Sequence, residues 1–128
     1  MIVVDTSALV AMFLREEGFE TVRRRIAQTV SLIPVSVYVE FLLLKRLRDD
    51  RVTWLDRLLS QPNMSVCSLD IAAVEFARQA ALNFGKGSGH PAALNFGDCL
   101  SYAVAKQRGL PLLFTGNDFL HTDIESVL

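Results

Sequence analysis

The sequence predicts an α/β protein of three layers, with a central, mainly parallel sheet of four to five strands and helices on both faces. Three observations carry this. Short, largely apolar runs of strand length (IVV, VSLIP, MSVCSL, LPLLF) recur along the chain with helical stretches between them, the alternation that crossover-connected parallel strands require. The runs are apolar on consecutive positions, as strands buried on both faces are. The 128 residues are 51% hydrophobic, which suits one core and leaves little room for a second.

Taken in order, IVVD is the first strand, closed by Asp5, and TSALVAMFL is the helix after it. FETVRRRIAQT gives a second helix, with Phe19, Val22 and Ile26 on one side and Arg23, Arg24 and Arg25 largely on the other. VSLIP is a buried strand ended by Pro34, and VSVYVEFLLLKRL begins the helix that follows. A shorter helix, TWLDRLL, leads through the Pro62-Asn63 turn to a third strand, MSVCSL. Asp70 is placed to cap a long helix running to about Phe84. Residues 85–95, GKGSGHPAALN, make the one conspicuous loop. Asn95 caps FGDCLSYAVAKQR, which Gly109 terminates. LPLLFT is the fourth strand, GNDF a turn, and HTDIESVL a short helix or a final edge segment.

Composition excludes several classes. Thirteen Lys and Arg against fourteen Asp and Glu point by themselves to no nucleic-acid partner. Cys67 and Cys99 stand singly in apolar surroundings without metal-ligand spacing, as reduced core cysteines do. No apolar run approaches a membrane span, and MIVVDTSALVAMF lacks the basic start and small-residue cleavage site of a signal peptide. A cytoplasmic protein without membrane contact is expected.

Glu40 poses the sharpest question, because at helical spacing its neighbours are Ser36, Val37, Leu43 and Leu44. A carboxylate on that inward face needs compensation, since an unpaired buried charge costs several kcal/mol. Ligands of parallel sheets bind beyond the carboxyl ends of the strands. Asp5 ends the first strand, Glu40 lies in the helix after the second, Asp98 in the first turn of the helix before the last strand, and Asp118 just past that strand. All four fall on one edge and are expected to converge. Each also has a plain structural role open to it: Asp5 as a helix cap, Asp98 as a capping-box acid beside Asn95, Asp118 in a solvated turn. Gathered carboxylates raise one another's pKa unless a cation is present. An all-oxygen set selects Mg²⁺ or Mn²⁺, whose natural chemistry here is phosphodiester hydrolysis. With the four acids neutralised, thirteen basic side chains face ten acidic ones, a mildly basic surface.

IVVDTSAL, SVYVEFLLL, GKGSGHPAALNFGDCLSYAVAK and LLFTGNDFLHTDI together resemble the PIN-domain ribonucleases, and specifically the VapC toxins of type II toxin–antitoxin pairs. The likeness runs over essentially the whole chain, so residues 1–128 are expected to be a single PIN domain. It implies a PIN-like α/β/α fold and a Mg²⁺- or Mn²⁺-dependent endoribonuclease. It also implies a cognate antitoxin whose C-terminal segment covers the cleft, and a homodimer. By matching motif, Asp5 and Asp98 are the principal metal ligands and Glu40 a third acid acting directly or through water; the fourth catalytic place falls either to Asp118, beside the matching position, or to Asn117 with only a neutral oxygen. Thr6 and Ser7 are supporting hydroxyls, Ser7 orienting the Asp5 carboxylate. Where many relatives carry an acid two residues after the strand-end threonine, this chain has Asn117, with Asp118 adjacent.

Arg15, Lys86 and His90 are candidate RNA contacts, Arg15 for its closeness in sequence to Asp5, the other two as parts of a flexible rim. Ser101 and Tyr102, one turn after Asp98, read as lining and packing. Val37, Phe41, Leu44 and Leu47 with Trp54, Leu55, Leu58 and Leu59 read as surplus apolar surface for a protein partner. Two competing readings stand beside the nuclease. One is an inactive PIN-like module that only binds RNA or antitoxin. The other is an aspartate-based phosphatase, whose pattern calls for a second Asp where this chain has Ser7.

Overall fold

The chain opens with β1 (Ile2–Val4), which β2 (Ser31–Pro34), β3 (Met64–Cys67) and β4 (Leu112–Leu113) join in one sheet of order β3-β2-β1-β4. All three pairings are parallel, with Val3 opposite both Leu32 and Leu112. The structure, a computed structural model, describes residues 1–128. The C-terminal segment is an edge segment rather than a helix: Ser126 bridges Leu112 in parallel, with Leu112 N donating to Glu125 O at 2.8 Å.

Side chains of successive strand residues point to opposite faces, and the two cores record this. Ile2, Val4, Ile33 and Leu113 enter one cluster, and Val3, Leu32, Leu112 and Phe114 enter the other. Against the first face pack α1 (Thr6–Leu14), α2 (Phe19–Gln28), α3 (Val35–Leu43) and α4 (Arg51–Leu59). Against the second lie α5 (Val74–Phe84) and α6 (Phe96–Arg108). The expected three layers are present. After three strands laid in one direction the chain crosses to the other side of β1, so a crevice opens between the carboxyl ends of β1 and β4, where such sheets bind ligands.

Several expectations are revised. α3 stops at Leu43, because the Arg51 guanidinium takes the Leu42 carbonyl through Nε at 3.2 Å and Nη2 at 2.9 Å. Leu43 is then 68% exposed, so it does not share an inward face with Glu40, whereas Val37 is buried. Asp70 gives no side-chain cap; the 3₁₀ turn Ile71–Ala73 intervenes and Ala73 N donates to the Asp70 carbonyl instead. The surplus apolar surface is largely consumed inside. Val37, Phe41, Leu47 and Leu55 are buried, and Trp54 closes on Phe13 and Phe41 at 5.4 and 5.5 Å between ring centroids. The stripe left outward on α3 is Val35, Val39 and Leu43. Finally, the 85–95 loop is not a loose rim. Gly85 and Leu94 form a parallel bridge, and Lys86 N donates to Leu94 O at 2.8 Å.

Candidate active site

Asp5 continues the β1–β4 ladder by one residue, its N–H donating to Leu113 O at 2.9 Å, and then caps α1. Its Oδ2 accepts from Ser7 N at 3.0 Å and from Ser7 Oγ at 2.7 Å. Its Oδ1 accepts from Ser101 Oγ at 2.6 Å. Three donors hold a carboxylate that is only 3% exposed, which is how a buried charge without an ion pair is stabilised. Ser7 is itself fixed from β4's end: Thr115 N donates to Ser7 Oγ at 3.1 Å and Thr115 Oγ1 to Ser7 O at 3.3 Å.

Glu40 is half-buried on α3, and its Oε1 accepts the hydroxyl of Thr6, the residue after Asp5. On its other side α6 approaches so closely at Gly97 that a Cβ there would overlap Glu40 Oε2 and lie 2.9 Å from Cδ and 3.1 Å from Oε1. Asp98, the next residue, forms a full capping box with Asn95: Asn95 N donates to Asp98 Oδ2 at 3.1 Å, and Asp98 N to Asn95 Oδ1 at 2.8 Å. Burial pushes the Asp98 carboxyl up to about 6, the Asn95 N–H opposes this, and the charges of Asp5, Asp118 and Glu40 add to the rise. The structure thus brings Asp5, Glu40 and Asp98 near one another at the carboxyl edge of the sheet. Asp118 sits in the exposed turn after β4 and enters through its field on Asp98 rather than through a bond. Neighbouring Asn117 is exposed and uses its carbonyl to accept Leu120 N.

The candidate RNA contacts fare differently. Arg15 ends α1 in a left-handed conformation, φ 53°. It is about 15 Å along the helix from Asp5, at the 1.5 Å rise per residue of an α-helix, and so leaves the acids. His90 is a loop fastener: its Nδ1 accepts Ala92 N at 3.1 Å and its ring meets Phe84 edge-on at 5.0 Å. Lys86 is exposed, with its ammonium in no ion pair.

Two residues of the site, Thr115 and Gly97, were not singled out from sequence, and Ser101, read as lining, holds Asp5 itself. Ser101 had a signal, its i,i+3 spacing from Asp98 on one helix face. Thr115 and Gly97 act through contacts that only the fold creates.

No three His, Cys, Asp or Glu side chains are gathered as a ready-made metal cage. The donor set nevertheless fits Mg²⁺ or Mn²⁺, because such ions keep several waters and rest on one or two carboxylates rather than on an all-protein cage. The upward push on Asp98 from three other acids is the strain a cation relieves. Ser7 also disposes of the phosphatase pattern, since the position of the second Asp is committed to holding the first.

The PIN-domain family model matches residues 2–125. Curated relatives include Ribonuclease VapC42 of Mycobacterium tuberculosis, 41% identical over 95% of both chains, and the VapC ribonuclease Mb2780c of Mycobacterium bovis at the same identity and coverage. Ribonuclease VapC28 of Mycobacterium tuberculosis is 40% identical over 98% of this chain and 97% of its own. Among solved structures, Mycobacterium tuberculosis VapC20, described as a Sarcin-Ricin loop cleaving toxin, superposes with a TM-score of 0.76 at 20% identity, covering 99% of this chain and 98% of that one. FitAcB of Neisseria gonorrhoeae superposes at 0.65 and 20% identity, over 98% and 96%. With the acid cleft at the β1–β4 crevice and a match along nearly its whole length, the chain belongs to the PIN-domain family, among the VapC ribonucleases.

Proposed function

We propose that Asp5, Glu40 and Asp98, with Asp118 at the rim, form a divalent-metal site at which this ribonuclease hydrolyses RNA phosphodiester bonds as the toxin of a toxin–antitoxin pair. One observation carries the reading: the Asp98 carboxyl, already raised by burial, is raised further by the charges of Asp5, Asp118 and Glu40, three acids remote from it in sequence. Asp5 and Asp98 would hold Mg²⁺ or Mn²⁺, with Glu40 binding directly or through water. When bound, the ion offsets phosphate charge and acidifies water.

The chain's own residues supply position and proton handling. Ser7 and Ser101 fix both Asp5 oxygens, so that carboxylate needs no reorganisation as charge develops. Thr6 orients Glu40, whose other oxygen remains for the proton of the attacking water. The water oxygen bonds to phosphorus, the bond to the leaving ribose oxygen breaks, and that oxygen takes up a proton. The N-termini of α1 and α6 open on the same cleft, and their dipoles favour the phosphate.

The chain belongs in the cytoplasm, where RNA is met; no helix is long and apolar enough to cross a membrane. Its protein partners are a cognate antitoxin over the cleft and a second copy of the chain. The exposed α3 stripe of Val35, Val39 and Leu43 supports the latter.

The test is Asp5→Asn assayed on total RNA in Mg²⁺, with chelator as control. Loss of cleavage with an unchanged fold is expected. Undiminished cleavage by the variant rejects the site. Calorimetric Mg²⁺ binding by a wild-type chain that cuts no RNA replaces the enzyme with the inactive binding module.

A further inference from the structure

Beside the acid cleft, on the flank of α6's first turn, a groove of about 580 Å³ runs between α5 and α6. Ala77, Ala81, Leu94, Cys99 and Leu100 line it. Phe96, the first residue of α6 and two before Asp98, stands at its lip 82% exposed, with no aromatic partner. Arg78 and Lys86 also line the groove, and neither is in an ion pair. The place of Lys86 is set by the Gly85–Leu94 bridge. Gly85 has no room for a side chain, since a Cβ would reach 3.0 Å from the Ala81 carbonyl carbon.

An apolar floor, an exposed aromatic ring and two free cations match a nucleotide: a base stacks on the ring and the phosphates meet the cations. The acids of the cleft repel those same phosphates, so an RNA strand needs positive charge just outside it. We infer that this groove is a nucleotide subsite, in which Phe96 stacks a base of the RNA strand next to the scissile phosphate while Arg78 and Lys86 hold its backbone. The inference rests on the nuclease reading for the direction of the strand, and binding can be measured without cleavage.

Binding of a short fluorescent single-stranded RNA of mixed sequence, in chelator, is measured by anisotropy for the wild type, Phe96→Ala, Phe96→Trp and the Arg78→Ala/Lys86→Ala double variant. Phe96→Ala is expected to weaken binding by about tenfold or more, the range that loss of one stacked base gives, and to raise KM in Mg²⁺ with kcat nearly unchanged. Phe96→Trp restores both. The double variant lowers the salt slope of log affinity by about 0.7 for each phosphate that is no longer neutralised. Unchanged affinity in Phe96→Ala and an unchanged salt slope in the double variant overturn the subsite. A change of oligomeric state in Phe96→Ala, seen by sedimentation with affinity unaltered, overturns it in favour of a contact between copies of the chain. If wild type binds RNA with these dependences yet does not cut it in Mg²⁺, the subsite stands and the nuclease reading falls.

Discussion

Gly97→Ala separates the chemistry of the cleft from the stability of the fold. Gly97 lies inside α6, where alanine is favoured over glycine by about 1 kcal/mol in helix propensity, so the helix itself does not object. The new methyl carbon would overlap Glu40 Oε2 outright and sit 2.9 Å from Cδ and 3.1 Å from Oε1. Carbon pairs prefer about 3.5–4.0 Å and the overlap with Oε2 is deeper than that with Cδ, so the Glu40 carboxylate must move by more than about 1 Å. It is the free end of a flexible, half-buried side chain and can do so at little expense to the fold. It cannot do so and keep its place, because Thr6 holds it on the other side. Displacements of about 1 Å in a reacting group lower rates on the order of 100-fold. The expected result is a folded protein, with a urea midpoint equal to or above wild type, whose RNA cleavage in Mg²⁺ falls by about two orders of magnitude. Cleavage at the wild-type rate would show that Glu40 takes no part in the chemistry. A collapse of stability would show that the close approach of α6 to Glu40 is a packing requirement of the core.

Three further outcomes follow from the same geometry. Ser101→Ala removes a donor from a buried carboxylate, and loss of a hydrogen bond to a charged group costs about 1.5–3 kcal/mol, measured by denaturant unfolding; an unchanged midpoint refutes the role given to Ser101. In chelator, Asp98 contributes stability that is fully present below its unfolded pKa near 3.8 and is lost as pH rises through about 6, because its folded pKa is the higher of the two. Asp98→Asn removes that slope, and Mg²⁺ restores stability above pH 6 in the wild type alone; wild-type stability that instead rises across this window rejects the clustered-acid geometry. Tyr102→Phe breaks the 2.6 Å bond from the Tyr102 hydroxyl to Asp123, which also pairs with Lys106 at 3.0 Å. It is expected to loosen the C-terminal segment, seen as faster amide exchange around Ile124, while leaving cleavage unchanged.

The acids were legible in the sequence because the constraint that places them is local. A carboxylate at the end of an apolar run, or three residues after an Asn that opens a helix, lies on the carboxyl edge of a parallel sheet whichever strands pair. The structural roles weighed against Asp5 and Asp98 turn out to be present as well. Asp5 caps α1 and Asp98 closes a capping box with Asn95, so capping is the device that aims each acid. What stayed hidden depends on long-range contact. Arg15 is near Asp5 in sequence, yet a nine-residue helix carries it to the other edge. The 85–95 loop has the glycines of a mobile rim, yet Ala92 and Leu94 are buried and fasten it. The end of α3 is set by Arg51, eight residues beyond Leu43, and no periodicity announces that bond.

The same contrast explains why Glu40 differs from the other acids. Asp5 and Asp98 each borrow backbone N–H groups at a helix start, and those donors exist whether or not a cation binds. Glu40 sits within α3, where the helix offers it no free N–H, and its one donor is a threonine hydroxyl from α1. Its position is therefore determined by two neighbours of different elements, Thr6 and Gly97, rather than by its own helix. A carboxylate held that way moves when either neighbour changes, whereas Asp5 and Asp98 keep their caps. Thr6→Val, which retains the shape and removes the hydroxyl, should thus lower cleavage as Gly97→Ala does, with Mg²⁺ affinity largely preserved through Asp5 and Asp98. If calorimetry instead finds Mg²⁺ binding abolished by Thr6→Val, Glu40 is a principal ligand and the division between two anchoring acids and one adjustable acid is wrong.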